Sequence, residues 1–431
     1  MRFIELSINS VDLSFFLYNT GIRLYKAAVS LSATLGKNQK AQQWLKGREN
    51  PWPGLEAALR GKGPVIWVHA ASLGEFEQGR PVLEALRKDY PGHAIVLTFF
   101  SPSGYEVRKD YKGADYVCYL PLDTAANAAR WMETVKPQLA IFIKYEFWYH
   151  YMTALYARKV PVLLISGIFR DNQVFFKWYG GLFRKLLRQM RHLFVQNETS
   201  LTLLHNIGIQ QVTIAGDTRF DRVWALRLQP VSLPAIERFI TGTKVLVAGS
   251  TWPEDEKLLA EWWHNGGAAG RQLILAPHET DVGHIRDIHR LFPDAVLYSA
   301  FAAGESAGGR VMIIDNVGML SALYRYSSIS YVGGGFGKEG IHNILEPATY
   351  GKPVIIGPVY QQFNEAVMLV QLRAAIVVND VASLDRNITA LNDMYYYQQI
   401  TEITGRFVEE HQGATEKILR YIRENGFLSG K

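Results

Sequence analysis

The first strand-like run of this 431-residue chain ends in His69-Ala70-Ala71-Ser72-Leu73-Gly74-Glu75. Small residues such as Gly74 allow backbone to approach a ligand closely, and a Glu at the mouth of a strand is placed to take a proton from a substrate hydroxyl as general base. Ser72 and Glu75 also spell a Ser-x-x-Glu capping box, which satisfies N–H groups at a helix start. In the second half, Gly249-Ser250-Thr251 follows a strand-like run and precedes a helical one, so its N–H groups and hydroxyls can receive a phosphate at a helix N-terminus. A cap formed by Thr251 with Glu254 is the plainer reading there. The stronger signal is Gly333-Gly334-Gly335-Phe336-Gly337, followed by Gly340-Ile341-His342-Asn343-Ile344-Leu345-Glu346-Pro347 at the opening of a helix. Gly334, Gly335 and Gly340 admit a ligand, Asn343 and the helix start face a phosphate, and Glu346 suits paired ribose hydroxyls.

Several other chemistries lack their residues. Lys338 stands where a third glycine is needed for G-x-G-x-x-G, and no P-loop pattern is present, so neither NAD nor P-loop NTPase chemistry is expected. His69, His278 and His342 lack metal-ligand spacing and read as polar loop residues, so no metal and no cofactor is expected. There is no Asp-x-Asp to hold a metal against a diphosphate; a nucleotide sugar with a monophosphate leaving group needs none.

These motifs must be carried by strands. From Pro64, β-branched runs alternate with helical stretches at Val65–His69, Ala94–Phe99, Tyr116–Tyr119, Leu139–Ile143, Pro161–Ile165, Leu193–Val195 and Val212–Ala215. A second series follows at Lys244–Ala248, Gln272–Ala276, Ala295–Tyr298, Val311–Ile314, Ile329–Val332, Pro353–Ile356 and Ala375–Val378. Such alternation predicts βαβ units and parallel sheets: an α/β chain of two doubly wound, Rossmann-like halves facing a cleft, with ligands at the carboxyl ends of the strands. The expected division is an N-terminal segment at 1–50, a first domain at 51–225, a linker at 226–240 with two prolines, a second domain at 241–404 and a C-terminal helix at 405–431.

With 48% hydrophobic and 20% charged residues the chain is of globular composition. Its net charge of +6 is spread without a dense basic block, which suits phosphate-bearing lipids or nucleotides and gives no separate signal for nucleic acid. A single cysteine, Cys118, excludes an intrachain disulfide and suggests a reducing compartment. Leu13 to Leu35 is apolar and aromatic but interrupted by Asn19, Arg23 and Lys26, so it is neither a clean span nor a signal peptide. Phe15, Phe16, Ile22, Tyr25 and Val29 recur at helical spacing. They fit an amphipathic helix in a bilayer interface with Arg23 and Lys26 toward headgroups, and equally a helix packed on its own domain.

Five stretches taken in order resemble the 3-deoxy-D-manno-octulosonic acid (Kdo) transferases of lipopolysaccharide synthesis. They are HAASLGEFEQG (His69–Gly79), YLPLD (Tyr119–Asp123), GDTRFDRV (Gly216–Val223), GSTWPEDE (Gly249–Glu256) and YVGGGFGKEGIHNILEPATYGKPVIIGP (Tyr331–Pro358) followed by Phe363-Asn364-Glu365. The resemblance implies a GT-B fold, CMP-Kdo as donor and a tetraacyl lipid A precursor as acceptor, with inversion at the anomeric carbon. It also implies work at the cytoplasmic face of the bacterial inner membrane. It makes Glu75 the catalytic base, puts Ser72, Gly74, Lys144, Glu146 and Arg170 on the acceptor side, and gives donor binding to Gly249, Ser250, Thr251, His278, Gly334, Gly335, Gly340, Asn343 and Glu346. The chain departs from the family where Lys144 replaces the first of two glutamates, where Ser166-Gly167-Ile168-Phe169-Arg170 replaces Asn-Ala-Arg-Leu-Ser, and where Ala276-Pro277-His278-Glu279 lacks the usual arginine. A sugar-nucleotide epimerase of the same shape and a non-catalytic lipid-A-binding protein are the competing functions.

Overall fold

The computed structural model describes residues 5–428 apart from 37, 230, 243 and 306–308, with side chains described from residue 15 onward. The chain divides into two compact units, Met1–Asp221 with Gly413–Lys431, and Arg222–Gln412.

The first unit holds a seven-stranded parallel sheet of β1 (Val65–Ala70), β2 (Ala94–Phe99), β3 (Tyr116–Tyr119), β4 (Pro137–Ile143), β5 (Val162–Gly167), β6 (His192–Val195) and β7 (Val212–Ile214), in the order β3-β2-β1-β4-β5-β6-β7. All six residues of β1 are buried, as expected of a strand covered on both faces. Val65 and Trp67 join one core with Trp131, Phe142 and Tyr151. Ile66, Val68 and Ala70 join the other with Val82 and Leu86 of the helix Leu73–Asp89 and with Ile418 and Ile422 of the C-terminal helix. Truncating an aromatic placed like Trp67 costs about 3–5 kcal/mol.

The second unit repeats the plan with β8 (Lys244–Thr251), β9 (Arg271–Pro277), β10 (Val296–Leu297), β11 (Val311–Ile313), β12 (Ile329–Val332), β13 (Val354–Ile356) and β14 (Ala375–Val377), in the order β10-β11-β9-β8-β12-β13-β14. Every expected run is a strand, within a few residues at each end. The chain switches from one side of the sheet to the other between β1 and β4 in the first unit and between β8 and β12 in the second. Such switch points open a crevice at the carboxyl ends of the strands.

Two expected segments differ. Residues 226–240 are not a plain linker: the helix Thr218–Leu228 runs across the boundary between units, and Pro234 starts a second helix, Pro234–Phe239, whose Ala235, Ile236 and Phe239 are buried. Proline suits that position because its missing N–H has no partner in a first helical turn. The C-terminal stretch is two helices, Met394–His411 and Ala414–Glu424, separated at Gly413, which has φ 102°. The second returns to the first unit, where the Asp221 carboxylate accepts from the N–H groups of Gly413 and Thr415.

The N-terminal segment is a helix, Glu5–Leu35, and it belongs to the first unit. Tyr18 donates to Asp123, Asn19 Oδ1 and His150 Nε2 are 2.8 Å apart, and Tyr25 packs edge-on against Trp44. Phe15 packs edge-on against Tyr149. Of the residues expected to enter a bilayer, Phe15 and Tyr25 therefore meet the protein, and Ile22 and Val29 are part-buried on the same side of the helix. The opposite side is apolar and exposed: Phe16 (66%), Leu17, Leu24 (64%), Leu31 and Leu35 (77%). A helix with two apolar faces yields a broad periodic signal, which is why spacing alone did not single out the outer one. Leu13, the start of the expected segment, lies outside the described side chains.

Candidate functional site

In the first unit the residues after β1 and after β4 lie at the switch point. Beyond β1, the Ser72 backbone N–H and hydroxyl donate to Glu75 Oε2 at 3.0 and 3.3 Å. The capping reading is thus realised, and it leaves Glu75 Oε1 for other partners. Burial raises the Glu75 pKa, with the neighbouring Glu146 charge adding to the shift, while Lys144 and the Ser72 contacts oppose it. A carboxylate of elevated pKa is a stronger base and is suited to proton abstraction. Ser72 and Glu75 are part-buried and Gly74 is exposed.

Beyond β4, Lys144 adopts φ 62° and donates its N–H to Ile165 O at 3.0 Å. Ser166, at the end of β5, has φ 55°, and Ser250, at the end of β8, has φ 52°. Left-handed backbone is costly for these residue types and gathers where a site constrains the chain. Glu146 Oε2 has two ring nitrogens within reach, Trp148 Nε1 at 2.8 Å and His69 Nε2 at 3.1 Å, and these two nitrogens are themselves 3.1 Å apart. Trp148 packs at a tilt against Phe100 with ring centroids 4.8 Å apart, and the Arg48 guanidinium fixes that loop by donating to Phe100 O and Leu120 O.

His69, read from sequence as a loop residue, is in β1 and fully buried. Arg170 is exposed, its N–H accepted by Gln173 Oε1, and its charge lowers the pKa of Tyr145, which burial raises more strongly. The fold therefore brings Ser72, Glu75, Lys144 and Glu146 together and leaves Arg170 at their margin. It adds His69, Thr98 and Trp148, which carry no local motif.

In the second unit the ends of β8 and β12 meet in the same way. The Gly333 N–H is accepted by Gly249 O at 2.9 Å. Asp255 accepts from Trp252 N, Gly334 N and Tyr331 Oη, at 2.9, 2.8 and 2.6 Å, and so anchors the glycine loop. The cap of the helix Pro253–Trp262 is consequently Trp252 with Asp255, not Thr251 with Glu254. Thr251 is fully buried and donates to Glu256 at 3.0 Å, so its hydroxyl is not offered to a phosphate. Gly334 has φ 90° and its N–H is occupied. A Cβ on Gly335 would lie 2.6 Å from Gly357 Cα, so close packing of two backbone segments requires that glycine.

The expected helix after Gly340 is a single turn, Leu345–Ala348: residues 341–344 remain a loop before it, and Gly351, with φ 63°, follows closely. Asn343 caps that turn through Oδ1, 3.2 Å from Leu345 N, and donates Nδ2 to Glu346 Oε1 at 3.1 Å. Burial raises the Glu346 pKa, opposed by the Arg222 charge and the Asn343 contact. Exposed His278 stacks on Trp252 at 4.8 Å and sits 4.4 Å from the His342 ring, whose Nε2 accepts from Trp252 Nε1 at 2.9 Å. Burial, aided by His278, pushes the His342 pKa down to about 4. Trp252 and His342 were not expected from sequence as site residues; an aromatic following a strand-end glycine was the available signal. Among the described residues, Glu279, Asp281 and His284 could together hold an ion. Asp281, however, accepts from the N–H groups of Gly283 and His284, and His284 lies 2.9 Å from Glu256.

Residues 42–222 match the family model of 3-deoxy-D-manno-octulosonic-acid transferase (kdotransferase). The chain is 27% identical over 357 residues to the 3-deoxy-D-manno-octulosonic acid transferase of Aquifex aeolicus, covering 80% of this chain and 92% of that protein. It is 27% identical over 376 residues to that of Haemophilus influenzae, covering 83% and 86%. Among solved structures it is similar to a UDP-GlcNAc 2-epimerase from Neisseria meningitidis (TM-score 0.57, 16% identity, 84% of this chain and 100% of that one). Acinetobacter baumannii MurG is similar as well (TM-score 0.52, 13% identity, 84% and 100%). Those likenesses show the fold: two parallel α/β units of the GT-B class.

Proposed function

We propose that this chain, a glycosyltransferase similar to the Kdo transferases along most of its length, moves Kdo from CMP-Kdo to a tetraacyl lipid A precursor, with inversion at the anomeric carbon. The observation that carries this reading is Glu75, a carboxyl group of raised pKa at the switch point of the first sheet, flanked by Glu146 and Lys144. Glu75 takes the proton of the acceptor hydroxyl as that oxygen bonds to the Kdo anomeric carbon, and the electron pair of the breaking bond leaves with the CMP phosphate. In the second unit His278 and the Trp252–His342 pair offer the donor an aromatic surface with N–H groups, while Glu346 and Asn343 receive its ribose. Gly249, Gly335 and Gly340 shape the loops that bear them. The reaction needs no metal and no cofactor in this reading, since a monophosphate leaves with less charge than a diphosphate.

The acceptor is a lipid, and the outer face of the N-terminal helix supports work at a membrane surface. Leu24, Leu31 and Leu35 face outward, with Arg23 and Lys26 exposed beside them. No helix among the described residues is long and apolar enough to cross a membrane. We place the protein on the cytoplasmic face of the bacterial inner membrane, with nucleic acid not among its partners. The test is incubation with CMP-Kdo and the tetraacyl precursor, read by mass spectrometry of the lipid. Mass gain by one or more Kdo units is the expected result; an unmodified lipid with intact CMP-Kdo overturns the reading.

A further inference from the structure

A chain of buried hydrogen bonds runs from the middle of the first sheet to Glu146. Trp67 Nε1 is 2.9 Å from Thr98 Oγ1, Thr98 Oγ1 is 2.8 Å from His69 Nδ1, and His69 Nε2 is 3.1 Å from Glu146 Oε2. Trp67, Thr98 and His69 are fully buried. The direction of the chain follows from its two ends. An indole N–H only donates, so Thr98 Oγ1 accepts from Trp67 and has one proton of its own to give. Two acceptors are within reach of that proton, His69 Nδ1 at 2.8 Å and Val68 O at 3.4 Å, and the shorter contact is the better hydrogen bond. His69 Nδ1 is then an acceptor, the ring proton sits on Nε2, and it points at Glu146 Oε2. Trp148 Nε1 lies 2.8 Å from the same oxygen and 3.1 Å from His69 Nε2; the shorter contact makes Glu146 its acceptor, and every donor in the chain is then satisfied. Among the described residues no hydrogen bond reaches Glu146 Oε1, and the side chain is 13% exposed.

We propose that Thr98 and His69 are positioning residues of this site: the Thr98 hydroxyl fixes the tautomer of His69, and His69 holds Glu146 so that Oε1 is left to accept from an acceptor hydroxyl. The catalytic part of this inference rests on the Kdo-transfer reading; the tautomer part does not. The parallel register accounts for the geometry, because His69 and Thr98 are direct partners in the β1–β2 ladder. In the reverse tautomer His69 Nε2 would lose the proton that ties it to Glu146 and could only accept from Trp148 Nε1, 3.1 Å away, which would draw that donor off Glu146 Oε2.

The experiment uses the full chain, with 15N-labelled histidine, as wild type, Thr98→Val and Thr98→Ser; His69→Gln assigns the His69 signal. The expected wild-type spectrum has His69 as the Nε2–H tautomer, Thr98→Val loses that preference and Thr98→Ser retains it. In transfer assays Thr98→Val should lower kcat roughly ten-fold, the effect of losing one well-placed hydrogen bond, with the donor KM unchanged, and Thr98→Ser should restore it. Where Thr98→Val alone does not fold, because it strands the Trp67 N–H, the Trp67→Phe/Thr98→Val double variant removes that donor. A wild-type tautomer preserved in the valine variant overturns the proposal, as does an unchanged kcat. Failure of the wild-type chain to transfer Kdo overturns the functional reading instead, and leaves the spectrum to decide the relay.

Discussion

The phenol of Tyr18 donates to the carboxylate of Asp123, and the same carboxylate accepts the N–H groups of His150 and Tyr151 at 3.0 Å each, at the start of the helix Tyr149–Ala157. Tyr18 Oη in turn accepts from Tyr149 N at 3.1 Å. The N-terminal helix is therefore seated on the segment that follows Glu146 and Trp148. Burial raises the pKa of both Asp123 and Tyr18. Tyr18→Phe keeps the ring and removes the donor, and is expected to cost about 1.5–3 kcal/mol, as for a hydrogen bond to a charged group. Thermal unfolding and hydrogen exchange over residues 15–35 check this; an unchanged exchange rate there would show that the helix is seated by its apolar contacts alone.

The outer face of that helix should behave oppositely. Leu24→Ser with Leu31→Ser is expected to leave thermal stability within about 0.5 kcal/mol, as for exposed positions, while weakening binding to anionic vesicles. Arg23→Glu with Lys26→Glu should weaken it further, by about 1 kcal/mol per residue near an anionic surface, most clearly at low salt. Sedimentation with vesicles over a salt series measures both. Activity on a short-chain acceptor should fall much less than on acceptor in vesicles.

Glu75→Gln is expected to keep the fold, because the amide oxygen still accepts from Ser72, and to lower turnover by ~10² to 10⁴, the typical worth of a general base. Equal turnover in the amide variant would confine Glu75 to its capping contact.

The pH profile carries a sign. A general base works deprotonated, so the rate climbs as pH rises through the Glu75 pKa, which lies above the ordinary value of about 4.3 for glutamate. Burial is the largest cause and Glu146 the second, so Glu146→Gln should move the acid limb down. Lys144 opposes the shift, so Lys144→Met should move it up. The limb of kcat/KM against pH in the two variants tests this, and movement in the same direction would remove Glu75 from the titration.

Glu346→Ala should raise the donor KM more than it changes acceptor kinetics. Because Glu346 is the charge that opposes burial of Arg222, the variant should also unfold at lower temperature. Glu346→Gln, which can keep the Asn343 contact, separates the two effects: lost donor binding without lost stability assigns the carboxylate to the ribose.

Much of this molecule is legible in the sequence, for identifiable reasons. Strands such as Ala94–Phe99 and Ile329–Val332 are short β-branched and aromatic runs, and a strand buried on both faces must be apolar throughout. Glu75 is legible because it ends a small-residue loop directly after such a run. The role of Thr251 is not legible, because a hydroxyl near a helix start has the same local pattern whether it faces a ligand or, as here, a buried Glu256. Lys144, Ser166 and Ser250 carry left-handed backbone that no residue type among them announces.

The sequence by itself determined fourteen strands, their alternation with helices and the loops that end them, because local steric preference and hydrophobic period act over a few residues. Only the tertiary structure decided which loops meet. His69 reaches Thr98 29 residues away and Glu146 77 residues away because β2 and β4 lie on either side of β1. The tertiary structure also decided which apolar face of the N-terminal helix is covered, through Tyr18 and Asp123, 105 residues apart. Periodicity states that a face is apolar; the partner that buries it is set by sheet order and packing, which involve residues too far apart for any local pattern to encode.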